Sequence, residues 1–229
     1  MTRHLSLAAA LALAMLLAAP ARAATPIPFG PDLAGAGWEA ITFRGIPATT
    51  YVAQGANALA VVAEASSSVI AKRLPASAFD ATRAAWRWRV EEGPPPTDLG
   101  RRGGDDRALA VYFAFAPEVD RAAAEGGRTG LRSLLLSGRG RLLVYVFGGD
   151  GARGQMVENP YTRGRGVYVV RRPAGAEKGA WLTEEVDLAA DHRAAFGEEP
   201  GILVGVAVAS DSDDTGGRNV GAIEGLVVR

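Results

Sequence analysis

The chain has 229 residues, a formal net charge of zero, two histidines and no cysteine. That length suits one domain with its own core, and without cysteine there is no disulfide to staple the fold and no thiol nucleophile. A balanced charge gives no electrostatic reason to expect a nucleic-acid partner.

In chain order, the first 23 residues stand apart. Arg3 and His4 lead into an apolar run that begins at Leu5, and Pro20-Ala21-Arg22-Ala23 follows it. A basic start, a short apolar stretch and an A-x-A end are the marks of a secretory signal peptide, cut after Ala23. The run is too short for a membrane anchor, and no cysteine offers a lipid attachment point. The mature chain, 24–229, is expected to be a single domain in the periplasm or outside the cell. No later segment reads as an integral membrane helix. Losing Arg3 and Arg22 keeps the charge near neutral and leaves His192 as the one histidine, which removes zinc centres built on several His or Cys ligands.

Short strands follow at 37–43, 49–52, 57–64 and 66–73, each bounded by Gly, Pro or polar residues. In 84–91, Trp86, Trp88 and Val90 alternate with Arg87 and Arg89, so the two indoles share one face and the two guanidiniums the other. Burial of that aromatic face is the simple reading; an exposed stacking platform is the other. The stretch 92–106 carries three consecutive prolines and then glycines, a long connection. The strands at 107–115, 141–147, 166–171 and 202–209 are apolar on both faces and read as central. A last strand spans 222–228. One short helix is predicted over 117–125, and a stronger one over 187–196, with Asp187 as its cap, Gly197 as its stop and His192 packed on one face. The pattern is all-β, an antiparallel β-sandwich of jelly-roll or carbohydrate-binding-module type with one or two short helices.

Acidic residues collect where central strands begin and end. Asp105 and Asp106 enter one; Asp211, Asp213 and Asp214 leave another. Short carboxylates held together repel, and some keep a proton unless a cation joins them. Asp211, Asp213 and Asp214 therefore form a weak candidate calcium loop, lacking the distant Glu of an EF-hand. A plain turn is the competing reading, since Asp and Ser side chains accept backbone N–H groups there. If the two strands are antiparallel neighbours, both acidic groups meet at one rim. Asp98, Arg107, Asn159 and Tyr161 then complete a polar pocket. A Ser-His-Asp triad would have to use His192, and no G-x-S-x-G elbow or P-loop is present. Paired carboxylates, among them Asp98, Asp105, Glu158, Asp211, Asp214 and Glu224, keep glycoside hydrolysis open.

Several stretches together resemble the DUF3047 family of bacterial exported proteins. They are WRWRV at 86–90, GGDD at 103–106, AVYFAF at 110–115, Asn159-Pro160-Tyr161, WLTE at 181–184, DHRAAFG at 191–197 and VAVASDSDDTG at 206–216. The resemblance implies a β-rich exported domain, distantly similar to carbohydrate-binding sandwiches, with no established activity. The expectation is a domain that binds a polar ligand of glycan type on an acidic rim, with calcium as a candidate cofactor. A carboxylate-dependent glycoside hydrolase and a structural or protein-interaction domain of the envelope are the alternatives. The sequence leaves the oligomeric state open.

Overall fold

The computed structural model describes residues 23–127 and 139–229. The signal-peptide expectation, apart from Ala23, lies outside the described residues. Among those residues no helix is long and apolar enough to cross a membrane.

The strands are β1 (Thr25–Pro26), β2 (Trp38–Thr42), β3 (Thr50–Ala53), β4 (Ala58–Glu64), β5 (Ser67–Arg73), β6 (Arg83–Glu92), β7 (Arg107–Ala116), β8 (Arg141–Gly148), β9 (Met156–Glu158), β10 (Gly166–Arg172), β11 (Leu182–Asp187), β12 (Ile202–Asp211) and β13 (Arg218–Val228). Among the described residues two helices join them, α1 (Arg121–Glu125) and α2 (Leu188–Phe196). The strands form two sheets. One runs β11-β6-β13-β4-β3, with β1 added on β13; the other runs β2-β5-β12-β7-β8-β10-β9. The pairings are antiparallel except β8 with β10, which is parallel. Parallel strands need a long connection, and the 149–165 segment that carries β9 supplies it.

The alternation of β6 has a direct consequence. Trp86, Trp88 and Val90 are buried, while Arg87 and Arg89 lie outside over the Trp181 ring. The indoles are core, not a platform. Trp86 packs 6.0 Å from Phe113 and 5.5 Å from Tyr145, and Trp88 lies 5.6 Å from Phe147. These rings join the two sheets, at tilted and edge-on geometries that suit aromatic quadrupoles.

β7 is buried along its whole length. Leu109, Val111, Phe113 and Phe115 face the sandwich interior. Ala110, Tyr112, Ala114 and Ala116 face the other way, into a second apolar cluster with Phe79, Leu99 and Ala124. The outer face of the seven-stranded sheet is thus roofed by connecting segments, including the Pro-rich 93–106 loop. That roof explains a strand apolar on both faces in a mostly antiparallel sheet.

The α2 boundaries follow from capping chemistry. Asp187 accepts the Ala190 N–H at 2.9 Å, and Gly197 ends the helix at φ +70°. His192 packs between Phe115 and Phe196 and donates from Nδ1 to the Glu198 carbonyl at 3.1 Å, the role of a core residue with one hydrogen bond. The helix predicted over 117–125 opens instead as a 3-10 turn at Glu118–Asp120 before α1. β11 was not predicted: four of its six residues are polar, and its inward Glu184 breaks the expected alternation.

Candidate functional site

β7 and β12 are antiparallel neighbours, and Asp211 sits opposite Arg107 in their register. The start of one strand meets the end of the other, as the rim hypothesis requires. Both strands bulge there, between Arg107 and Leu109 and between Ala209 and Asp211. Bulges re-aim side chains at strand ends. Gly148, opposite Arg107 on β8, adopts φ +150°, and a Cβ there would lie 2.9 Å from Arg107 Cβ. Only glycine fits the close approach.

Arg107 is the hub. Its Nη1 lies 3.1 Å from Asp105 Oδ2 and 3.1 Å from Asp211 Oδ2, and its Nη2 donates to the Tyr112 hydroxyl at 2.8 Å. The guanidinium also stacks 5.0 Å from the Tyr168 ring. Asp105 is fully engaged. Tyr168 donates to Oδ2 at 3.0 Å and Tyr161 to Oδ1 at 3.2 Å. Burial still pushes the Asp105 carboxyl above its ordinary range, against the pull of Arg107. Tyr112 and Tyr168 belong to the outer face of the sheet, so this network folds inward from the rim beneath the 93–106 loop.

Asp106 has a different task. It is fully buried and its carboxylate accepts the Thr215 N–H at 2.7 Å and the Asp214 N–H at 3.3 Å. One side chain pins the whole 211–216 turn to the start of β7. Asn219, also buried, donates from Nδ2 to the carbonyls of Arg107 (3.1 Å) and Asp211 (2.7 Å), tying β13 to the same corner.

Carboxylate oxygens of Asp106, Asp211 and Asp213 lie within 4.8 Å of one another. Among the described residues Asp211 Oδ1 is buried and takes no hydrogen bond from an N–H or hydroxyl donor, although the Asp211 side chain as a whole keeps 13% exposure. A hydrogen bond to Asp211, then burial and the neighbouring charges, push the Asp213 carboxyl up to about 7. Asp214 is exposed and turns toward Gly103. Among the described residues the three-carboxylate group is Asp106, Asp211 and Asp213, so the expected loop of Asp211, Asp213 and Asp214 contributes two of its three members, and Asp214 is not one of them. Hard oxygen donors of this kind suit calcium, which takes six to eight oxygens.

The other expected residues divide. Tyr161 stands beside the cluster, its hydroxyl fixed between Asp105 and the Gly103 N–H (3.0 Å), with 52% of the residue exposed and Arg102 over the ring at 5.2 Å. Asn159 does not reach the cluster. It accepts the Tyr161 N–H at 2.9 Å in a turn that presents the ring. Asp98 accepts the Gly100 N–H at 2.9 Å and serves as a turn cap in the loop. Sequence reasoning missed Tyr112, Tyr168 and Asn219. A tyrosine inside an apolar strand needs a partner for its hydroxyl, and that was the available signal.

The chain matches the family described as "Protein of unknown function (DUF3047)" over residues 36–226, and it belongs to that family. No curated protein matches it. Among solved structures it is similar to the xyloglucanase domain of NopAA, a type three effector from Sinorhizobium fredii, in complex with cellobiose. The two are 11% identical, with 84% of this chain and 90% of that chain covered and a TM-score of 0.45. A family 11 carbohydrate-binding module of the cellulosomal cellulase Lic26A-Cel5E of Clostridium thermocellum is 8% identical, with 84% and 86% covered and a TM-score of 0.37. The cellulose induced protein Cip1 is 14% identical, with 84% and 91% covered and the same TM-score of 0.37.

Proposed function

We propose that this chain is an exported domain, delivered to the periplasm or beyond, that binds a hydroxyl-rich ligand of glycan type at the rim between β7 and β12. In this reading Asp106, Asp211 and Asp213 hold a divalent cation of calcium type. The observation that carries it is Asp211 Oδ1, a buried oxygen that takes no N–H or hydroxyl hydrogen bond among the described residues, in a cluster of three carboxyl groups. Such an oxygen is costly to bury, by about 1–3 kcal/mol or more for a charged group. A proton shared with Asp213 relieves it below about pH 7. Above that pH a cation does the same and leaves coordination positions for backbone carbonyls, water or ligand hydroxyls. Tyr161 adds an exposed ring, locked by its hydroxyl beside the acids, on which a sugar face can rest.

Calorimetric titration of the mature chain with a panel of plant and cell-wall oligosaccharides, with calcium and with chelator, tests this. We expect saturable binding that needs calcium. Tyr161→Ala should weaken it at least tenfold, with only a small drop in melting temperature from the lost hydrogen bonds to Asp105 and Gly103. No binding from any panel member with calcium present, or full binding by the variant, contradicts the reading.

One observation favours a second reading. A carboxyl raised to about 7 can serve as the general acid of glycoside cleavage, whose partner carboxylate must stand about 5 Å or more away across the scissile bond, so Asp211, hydrogen-bonded to Asp213, is not that partner. Turnover of the same glycans, abolished in Asp213→Asn with binding retained, would establish it.

A further inference from the structure

A second charged cluster bridges the two sheets, with Arg171 and Arg172 on β10 and Glu184 on β11. At the usual inter-strand spacing β10 is roughly 10 Å from β7. Glu184, in the middle of β11, points into the sandwich, and its side chain has no exposed surface. Three arginines close on it. Arg171 Nε donates to Oε2 at 3.0 Å, Arg153 Nη2 donates to the same oxygen at 3.1 Å, and Arg172 Nε donates to Oε1. Each guanidinium also has a backbone anchor. Arg153 reaches the Arg171 carbonyl at 2.9 Å, Arg171 the Glu185 carbonyl at 3.3 Å and Arg172 the Thr183 carbonyl at 3.3 Å. The fork of each arginine is held in place rather than free in solvent.

The charges do not balance. Glu185 pairs with Arg229, and Asp187 pairs with Arg83 while capping α2. Asp191 takes the Tyr145 hydroxyl at 2.7 Å. Even with Asp191 counted beside Glu184, three arginines leave one positive charge over. Guanidiniums gathered on one carboxylate repel one another. One neutralising arginine would have sufficed for a buried carboxylate. Arg153, Arg172 and Arg171 keep 47%, 24% and 18% side-chain exposure, so the cluster borders solvent while Glu184 itself does not.

We infer that Arg153, Arg171 and Arg172 form a binding site for an oxyanion, a carboxylate or phosphate group, with Glu184 as the internal template that fixes their geometry. Planar guanidinium forks match such anions in two-point hydrogen bonds. The site is separate from the acidic rim and does not depend on the reading given to that rim.

Calorimetry at constant ionic strength, with inorganic phosphate and with galacturonate oligomers against chloride, tests it. Saturable binding of phosphate alone assigns a phosphoryl ligand, and of galacturonate alone an acidic glycan; either supports the site. Arg153→Gln removes a half-exposed arginine and leaves Glu184 two partners, so the fold should persist while affinity falls at least tenfold. Glu184→Gln separates this from a purely structural clamp. It leaves three arginines without an internal counter-ion, so its melting temperature should fall in chloride and recover in the binding anion at equal ionic strength. The inference is overturned if neither anion saturates, if Arg153→Gln binds like wild type, or if the Glu184→Gln loss is the same in every anion.

Discussion

Replacing Asp213 by asparagine should flatten part of the pH dependence of stability in the metal-free protein. The Asp213 carboxyl moves from an ordinary 3.8 up to about 7 on folding, chiefly through its hydrogen bond with Asp211. The folded chain then holds a proton that the unfolded chain releases. Its contribution is fully present below 3.8, declines as the pH rises toward 7, and is gone above that. Moving a carboxyl from 3.8 up to about 7 corresponds to about 4 kcal/mol. Asp213 is only partly buried, so water and salt screen it, and about 1–2 kcal/mol is the size to expect. Asp105 and Asp214, also raised, share this sign. His192 opposes it: burial lowers its pKa, so its stabilisation is lost as the pH falls through and below 6.5. The useful quantity is therefore the difference between wild type and Asp213→Asn. Urea denaturation in chelator from about pH 4 to about pH 8 should show wild type losing about 1–2 kcal/mol more than the variant. Parallel curves would refute the shared proton, and with it the account of how the unpaired Asp211 oxygen is tolerated.

Arg107→Met should lower stability by about 3–5 kcal/mol, because Asp105 and Asp211 lose the charge they share in a buried setting; a loss under about 1 kcal/mol in urea melts would show that Arg107 is not the hub. Trp88→Ala should cost about 3–5 kcal/mol by opening a cavity between the sheets, also read by urea denaturation.

Local chemistry was the most legible part of the chain. The Trp86, Trp88 and Val90 alternation predicted both the strand and its buried face, and Asp187 with Gly197 marked both ends of α2. That the acids of β7 and β12 share a rim was legible only on the condition that the two strands pair antiparallel, which the register supplies. What failed depended on long-range contacts. β11 carries Glu184 inward only because Arg153, Arg171 and Arg172 arrive from elsewhere in the chain to meet it. Asp106 joins the carboxylate set because the 211–216 turn folds onto it through backbone N–H groups, which no side-chain pattern encodes. Tyr112 and Tyr168 read as core because their strands are apolar. Their hydroxyls find Arg107 and Asp105 only once the outer face of the sheet is roofed.

The central claim is that Asp106, Asp211 and Asp213 make one cation site. Calcium titrated calorimetrically into chelator-stripped mature protein, above the pH at which Asp213 releases its proton, tests it most directly. One saturable site per chain is expected, lost in Asp211→Asn, a variant that keeps the side-chain shape. Absence of saturation, or equal binding by the variant, would contradict it.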